Sequence, residues 1–253
     1  MQNQNPKTQT LNELLQYVEE LLSHTQVQEA LRVCEKLLKE YPNHIEVIFL
    51  KAVALQLDGS LKEALKVLQQ AALGDNESTD IWCHIGLTAL ELLDISLSQK
   101  AIVNSLNYDP FNPDAWWVRS LLRECKGDRL GAYRTYLHAQ WLDPQTYPPL
   151  PILNALDIEN ILHEALQHLP VSLKEYYASL TVYPQDAPSL ALLQRIELSP
   201  LHILCFVDRN QARLNIYTQN LKRFIQTGED VSSALGRELL IHSKDYQFNM
   251  AEA

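Results

Sequence analysis

EALRVCEKLLKEYPN, residues 29–43, decides the fold. A small residue, Ala30, stands at the start of an amphipathic stretch, a larger apolar residue, Cys34, follows one helical turn later, and Pro42 closes it. Proline has no N–H and clashes with the preceding turn, so it cannot continue the helix it follows. The same order returns every 34 residues. Ala30, Ala64, Ser98 and Ala132 hold the small position, and Cys34, Leu68, Ile102 and Tyr136 the large one. Pro42, Asn76, Pro110 and Pro144 hold the terminator. Upstream lie Leu14, Ile48, Trp82 and Trp116, then Val18, Ala52, Gly86 and Ser120, again in register, with Gly59 and Gly127 between the two halves of the second and fourth units. Each unit reads as two antiparallel helices joined by a short turn. A small residue is needed where the helices approach, and a large one fills the layer beside it.

A fixed period of 34 with this order resembles the tetratricopeptide repeat over four units: 11–44, 45–78, 79–112 and 113–146. EALRVCEKLLKEYPN and GAYRTYLHAQWLDPQ (131–145) are similar to the second helix of that family. The resemblance implies an α-helical solenoid, a right-handed superhelix of helix pairs, with the first helix of each unit lining a concave face. The residues it places there include Leu15 and Glu19; Glu46, Phe49, Val53 and Gln56; Asp80, Cys83 and Leu87; and Asp114, Trp117 and Leu121. Asn12, Leu22, Leu90 and Glu124 complete the set. Its floor is apolar and one edge acidic, which suits a protein or peptide segment with apolar anchors and basic flanks. Some family members clamp a terminal carboxylate with Lys, Asn and Arg. The matching positions here hold Leu15, Glu19, Leu50, Asp80 and His84, so a chaperone-tail adaptor is not expected.

The period stops at YPPLP, 147–151, a proline-rich linker. Beyond it the pattern is α, β, β, β, α, α: a helix over 155–169, strands at 179–185, 202–208 and 212–218, a helix stopped by Gly228, and a final helix capped by Asp230 or Ser232. This is a small α+β domain over 152–253. HEALQHLPVSLKEYYASLTVYPQDAPS (163–189) and ARLNIYTQNLKRFIQTGEDVSSALGRELLIH (212–242) resemble the minimal zincin-like bacterial metallopeptidases. That resemblance implies an HExxH zinc site on the final helix. Its slots hold His242, Ser243, Lys244, Asp245 and Tyr246, followed by Phe248 and Asn249, with Glu252 the one carboxylate of the tail. Serine cannot serve as the general base, and tyrosine, with a pKa near 10, is a poor zinc ligand. The domain is therefore expected to be catalytically degenerate, with His242 a weak metal candidate that packs near a helix C-terminus, and with Leu235, Leu239, Leu240 and Ile241 on the apolar side.

Composition narrows the rest. The chain has 253 residues, 46% hydrophobic and 21% charged, which fits a folded protein. Net charge is −10, spread as 13 basic and 19 acidic residues up to Thr146 and 8 and 12 after it. No basic face is visible, so nucleic acid is not an expected partner. No apolar run is long enough for a bilayer and MQNQNPKTQT lacks a signal pattern, so a cytoplasmic protein without a membrane partner is expected, with residues 1–10 frayed. Cys34, Cys83, Cys125 and Cys205 lack CxxC spacing and read as buried thiols. No glycine-rich phosphate loop or GxSxG occurs, so neither cofactor nor catalytic residue is assigned. Terminal repeats expose apolar edges unless capped, which leaves self-association open. The favoured function is a non-enzymatic interaction scaffold. The alternatives are a divergent zinc-dependent peptidase and a pseudoenzyme regulated through the groove.

Overall fold

The structure, a computed structural model, describes residues 10–250, with side chains through Ser243. Residues 1–9 of the expected frayed start, the side chains of the last three HExxH slots and of Phe248 and Asn249, and Glu252 lie outside the described residues. By its internal contacts the chain divides into two compact units, Met1–Leu122 and Arg123–Ala253. The division falls inside a helix, upstream of the 147–151 linker.

Eight helices make up the repeats: α1 (Leu11–Ser23), α2 (Val27–Glu40), α3 (Ile45–Leu57), α4 (Leu61–Gly74), α5 (Thr79–Glu91), α6 (Ile95–Tyr108), α7 (Pro113–Cys125) and α8 (Arg129–Leu142). Within the first unit each helix from α1 to α5 packs on the next. The 34-residue period now has a backbone cause. Thr25, Gly59, Leu93 and Gly127 are spaced by 34 and all adopt positive φ, at 56°, 80°, 62° and 77°. The next residue in each case, Gln26, Ser60, Asp94 or Asp128, donates its N–H to the carbonyl five positions back, at 2.8–3.0 Å. The left-handed residue donates to the carbonyl three back. This pair of bonds is the Schellman stop, which satisfies the last carbonyls of the first helix and turns the chain into the second. Glycine suits that conformation best, so only two of the four turns are visible as glycine.

Packing follows the same register. Ala30, Ala64 and Ser98 are fully buried and Ala132 nearly so, as are Cys34, Leu68, Ile102 and Tyr136 one turn later. A Cβ on Gly86 would stand 2.5 Å from Ile102 Cδ1, which fixes how closely α5 and α6 approach. Trp82 and Trp116 are only half-buried. Each indole N–H donates to the carbonyl six residues upstream, Asn76 at 2.7 Å and Pro110 at 2.8 Å, so they clasp the turn between repeats. Asp75, Asp109 and Asp143, also spaced by 34, each accept backbone N–H groups two or three residues on and shape that turn. Those bonds, led by the one from Thr146, hold the Asp143 carboxyl below the usual carboxylate range.

The second unit joins α8 to the C-terminal elements: α9 (Ala155–Gln167), α10 (Val171–Ala178), β1 (Thr181–Gln185), α11 (Leu190–Ile196), β2 (Cys205–Asp208), β3 (Arg213–Tyr217), α12 (Thr218–Gln226) and α13 (Val231–Met250). The sheet order is β1-β3-β2, with β1 parallel and β2 antiparallel to the central β3. Pro184 lies on β1, an edge strand, where a missing N–H costs least. α9, α10 and α13 cover the sheet through Ile158, Leu162, Leu173, Tyr177, Leu235 and Leu239, packed on Leu214 and Ile216. Tyr177 donates its hydroxyl to the Leu239 carbonyl at 2.6 Å. The Cβ of a residue at 236 would meet the Ala165 carbonyl at 3.1 Å, so Gly236 lets α13 lie close on α9.

Several expectations are corrected here. Two short helices, α10 and α11, stand between the expected elements. Pro170 opens α10 with a fixed φ, and the Ser189 hydroxyl caps α11 by accepting from Leu192 N–H. Asp230, not Ser232, caps α13, accepting from Ser232 and Ser233 N–H at 3.0 and 3.1 Å. Leu240 and Ile241 are exposed, because a 100° turn per residue carries them off the face that buries Leu235 and Leu239. α13 continues to Met250, so His242 lies inside the helix and not near its end.

Candidate functional site

In the first unit the expected groove residues fall into two classes. Leu15, Cys83 and Leu121 are buried and belong to the packing between helices. Phe49, Val53, Gln56, Leu87 and Trp117 are half-buried, while Glu19, Glu46, Asp80 and Asp114 are exposed. Glu46, Phe49 and Asp80 border one cleft of about 530 Å³ at the N-terminal ends of α3 and α5, together with His44 and Asp75. Carboxylates in the first turns of these helices are favoured by the helix dipole as well as by any ligand.

Behind the cleft runs a polar network. The Phe49 and His84 rings meet edge to face at 5.0 Å. His84 Nδ1 lies 2.7 Å from Gln56 Oε1, so the ring proton sits on Nδ1 and the amide oxygen accepts. Gln56 donates through Nε2 to the Thr88 hydroxyl, which donates in turn to the His84 carbonyl at 2.7 Å. Burial lowers the His84 pKa against the opposing pull of Asp114 and Asp80, so the ring is neutral near pH 7. Burial also pushes the Cys83 thiol up, reinforced by the same two carboxylates.

Glu124, at the matching position of the fourth unit, is engaged within the second unit. Its carboxylate accepts from Arg223 of α12, at 2.8 Å and 3.5 Å, with both side chains mostly shielded from solvent. Arg223 also donates to Asn220, whose amide holds the Pro200 and Ile203 carbonyls. Gln226 of the same helix donates to the Pro148 and Pro149 carbonyls, and the Tyr136 hydroxyl donates to Pro148. The proline-rich linker is therefore tied to both α8 and α12.

A second cluster lies in the second unit around His242. Cys205 Sγ, a Glu238 carboxylate oxygen and a His242 ring nitrogen all lie within 4.8 Å of one another. Glu238 and His242 stand one turn apart on α13, and Cys205 opens β2. The Glu238 carboxylate accepts the N–H of Leu204, at 2.9 Å to Oε2, and of Cys205, at 3.1 Å to Oε1. His242 Nε2 is enclosed without a hydrogen-bond partner. The ring meets Phe206 edge to face at 6.2 Å and borders a cleft of about 460 Å³ with Arg195, Asp208 and Arg209. Ser243, in the general-base slot, is buried and donates to the Leu240 carbonyl at 2.7 Å. The Glu238–His242 spacing is legible in the sequence as residues four apart. The arrival of Cys205 is not, because it depends on where β2 docks. All four cysteines are buried free thiols.

The tetratricopeptide repeat family model matches residues 21–83. That match covers about a quarter of the chain, and tetratricopeptide repeat proteins are protein-interaction scaffolds. No curated protein matches the chain. Among solved structures it is similar to MamA, at 16% identity and a TM-score of 0.45 over 55% of this chain and 77% of that one. It is similar to MamA from Desulfovibrio magneticus RS-1, at 21% and 0.47 over 53% and 75%. A thermophilic tetratricopeptide protein of Thermus thermophilus aligns at 18% and 0.49 over 54% and 76%. Among the described residues no helix is long and apolar enough to cross a membrane.

Proposed function

We propose that the repeats wind as a right-handed superhelix whose inner face docks a protein or peptide segment, so that the chain acts as a cytoplasmic interaction scaffold. The observation that carries this reading is the line of half-buried Phe49, Val53, Leu87 and Trp117 on successive first helices, flanked by exposed Glu46, Asp80 and Asp114. Apolar side chains bordered by one sign of charge favour a segment with apolar anchors and Lys or Arg beside them. Gln56 and His84 supply a neutral polar floor between the two. Glu19 extends the acidic edge toward α1. Leu15, Cys83 and Leu121 support the face from within. The C-terminal domain over 152–253 fits a non-catalytic, zincin-like module, joined to the repeats through the 147–151 linker.

The experiment is selection of random displayed peptides on the full chain, followed by anisotropy titrations of the winners. The expected winners carry aromatic or aliphatic anchors with basic flanks. Their affinity falls about tenfold or more in Phe49→Ala, and also in Glu46→Lys with Asp80→Lys, whose exposed positions leave the fold intact. Peptides that bind both variants as tightly as the parent would remove the face from consideration.

The divergent peptidase is the second reading, and the donor cluster at His242 is what favours it. It lacks a base. Ser243 is buried and turned to its own helix, and the Glu238 carboxylate is engaged by two backbone N–H groups.

A further inference from the structure

We infer that Cys205, Glu238 and His242 form a zinc-binding site that ties β2 to α13. The ligand set is one thiolate, one carboxylate and one imidazole, a donor mixture that suits zinc and is too soft for magnesium or calcium. Geometry supports it first. In tetrahedral coordination, bonds of about 2.0–2.3 Å place neighbouring donors about 3.4–3.6 Å apart. His242 Nε2 and Glu238 Oε1 are 3.8 Å apart, and all three donors fall within 4.8 Å, so closure needs shifts of well under one bond length.

The second support is the orphaned nitrogen. His242 Nε2 is shielded from solvent and faces no hydrogen-bond partner, although Glu238 is its neighbour one turn earlier. A buried ring nitrogen without a partner calls for an explanation, and a metal ion supplies one. Third, the carboxylate is held ready. The N–H groups of Leu204, shared between both oxygens, and of Cys205, on Oε1, fix its orientation, as outer hydrogen bonds do in metal sites.

Charge and protons balance. Burial, reinforced by Glu238, pushes the Cys205 thiol well above its ordinary value, so without a cation it stays protonated. Zinc displaces that proton to solvent as the Zn–S bond forms, and the thiolate and carboxylate together neutralise the ion. The cleft that the His242 ring borders gives an approach from solvent. In the competing account, Glu238 merely anchors the start of β2 and His242 merely stacks on Phe206. That account leaves Nε2 with only a 3.8 Å approach to Glu238 Oε1, beyond hydrogen-bond distance.

The test uses the full chain stripped with chelator, then loaded with zinc alone or cobalt(II) alone. The expected result is one zinc per chain after gel filtration, a rise in the melting temperature with zinc, and a thiolate-to-cobalt charge-transfer band. Cys205→Ser, nearly isosteric, removes that band. Cys205→Ser and His242→Gln each weaken zinc binding at least about a hundredfold. A parent protein that retains no zinc, or that binds cobalt without a thiolate band, overturns the site whether or not the variants fold. So does zinc affinity unchanged in both variants.

Discussion

Ser98 stands where the other three repeats carry alanine, and its hydroxyl is buried without a hydrogen-bond partner. The position is small because α5 and α6 touch there, and nothing about that contact needs an oxygen. A buried hydroxyl that has lost water and found no partner costs about 1–3 kcal/mol. Ser98→Ala removes the cost and keeps the volume, so it is expected to stabilise the protein by about 1 kcal/mol in urea unfolding. A lower midpoint in the alanine variant would mean that the hydroxyl has a partner in solution. Four equivalent sites reveal which chemistry the fold requires, which is smallness, and which it merely tolerates.

At the scale of elements, the turns between first and second helices show why only part of the fold was legible. Gly59 and Gly127 advertise their left-handed turns, whereas Thr25 and Leu93 adopt the same conformation with side chains that give no signal. Register alone reveals them. α10 and α11 have no register to borrow. They are 8 and 7 residues long, and each places only one or two buried residues: Leu173 and Tyr177 in the first, Leu193 in the second. A periodic pattern needs more turns than that. The three strands were legible because β-branched and aromatic runs ended at turn residues, although the structure trims each. The Arg223–Glu124 pair lay beyond sequence reasoning, since its partners are 99 residues apart. Its side chains are 19% and 11% exposed, so removing one leaves the other charged and largely dry. Arg223→Ala is expected to destabilise the second unit by about 3–5 kcal/mol. Replacing both, Arg223→Met with Glu124→Gln, is expected to recover most of the loss. Equal stability of the parent and Arg223→Ala by chemical unfolding would show that water screens the pair.

For the whole molecule, the contrast between the two units follows from how far apart in sequence their contacts lie. In the first unit the main contacts between helices span one or two helices, so a period of 34 carries almost all of them. In the second unit the sheet and its covering helices come together over long separations. The candidate face followed from the repeat, while the cluster at Cys205 followed from the docking of β2 on α13. The same logic predicts how stability is distributed. In a stack of helix pairs each helix is held by its neighbours on both sides. Among the described residues the main neighbours of α1 are α2 and α3, whereas α3 packs on α1, α2, α4 and α5. The Thr10 and Glu13 capping box secures the start of α1 but supplies no neighbour. Local opening therefore begins at α1, and its amide hydrogens are expected to exchange on the order of tenfold faster than those of α3 under native conditions. Exchange read by mass spectrometry on peptides from the full chain decides this. α1 amides protected as strongly as those of α3 would mean that the exposed face of α1 is covered in solution, and a dependence on protein concentration would identify the cover as a second copy of the chain.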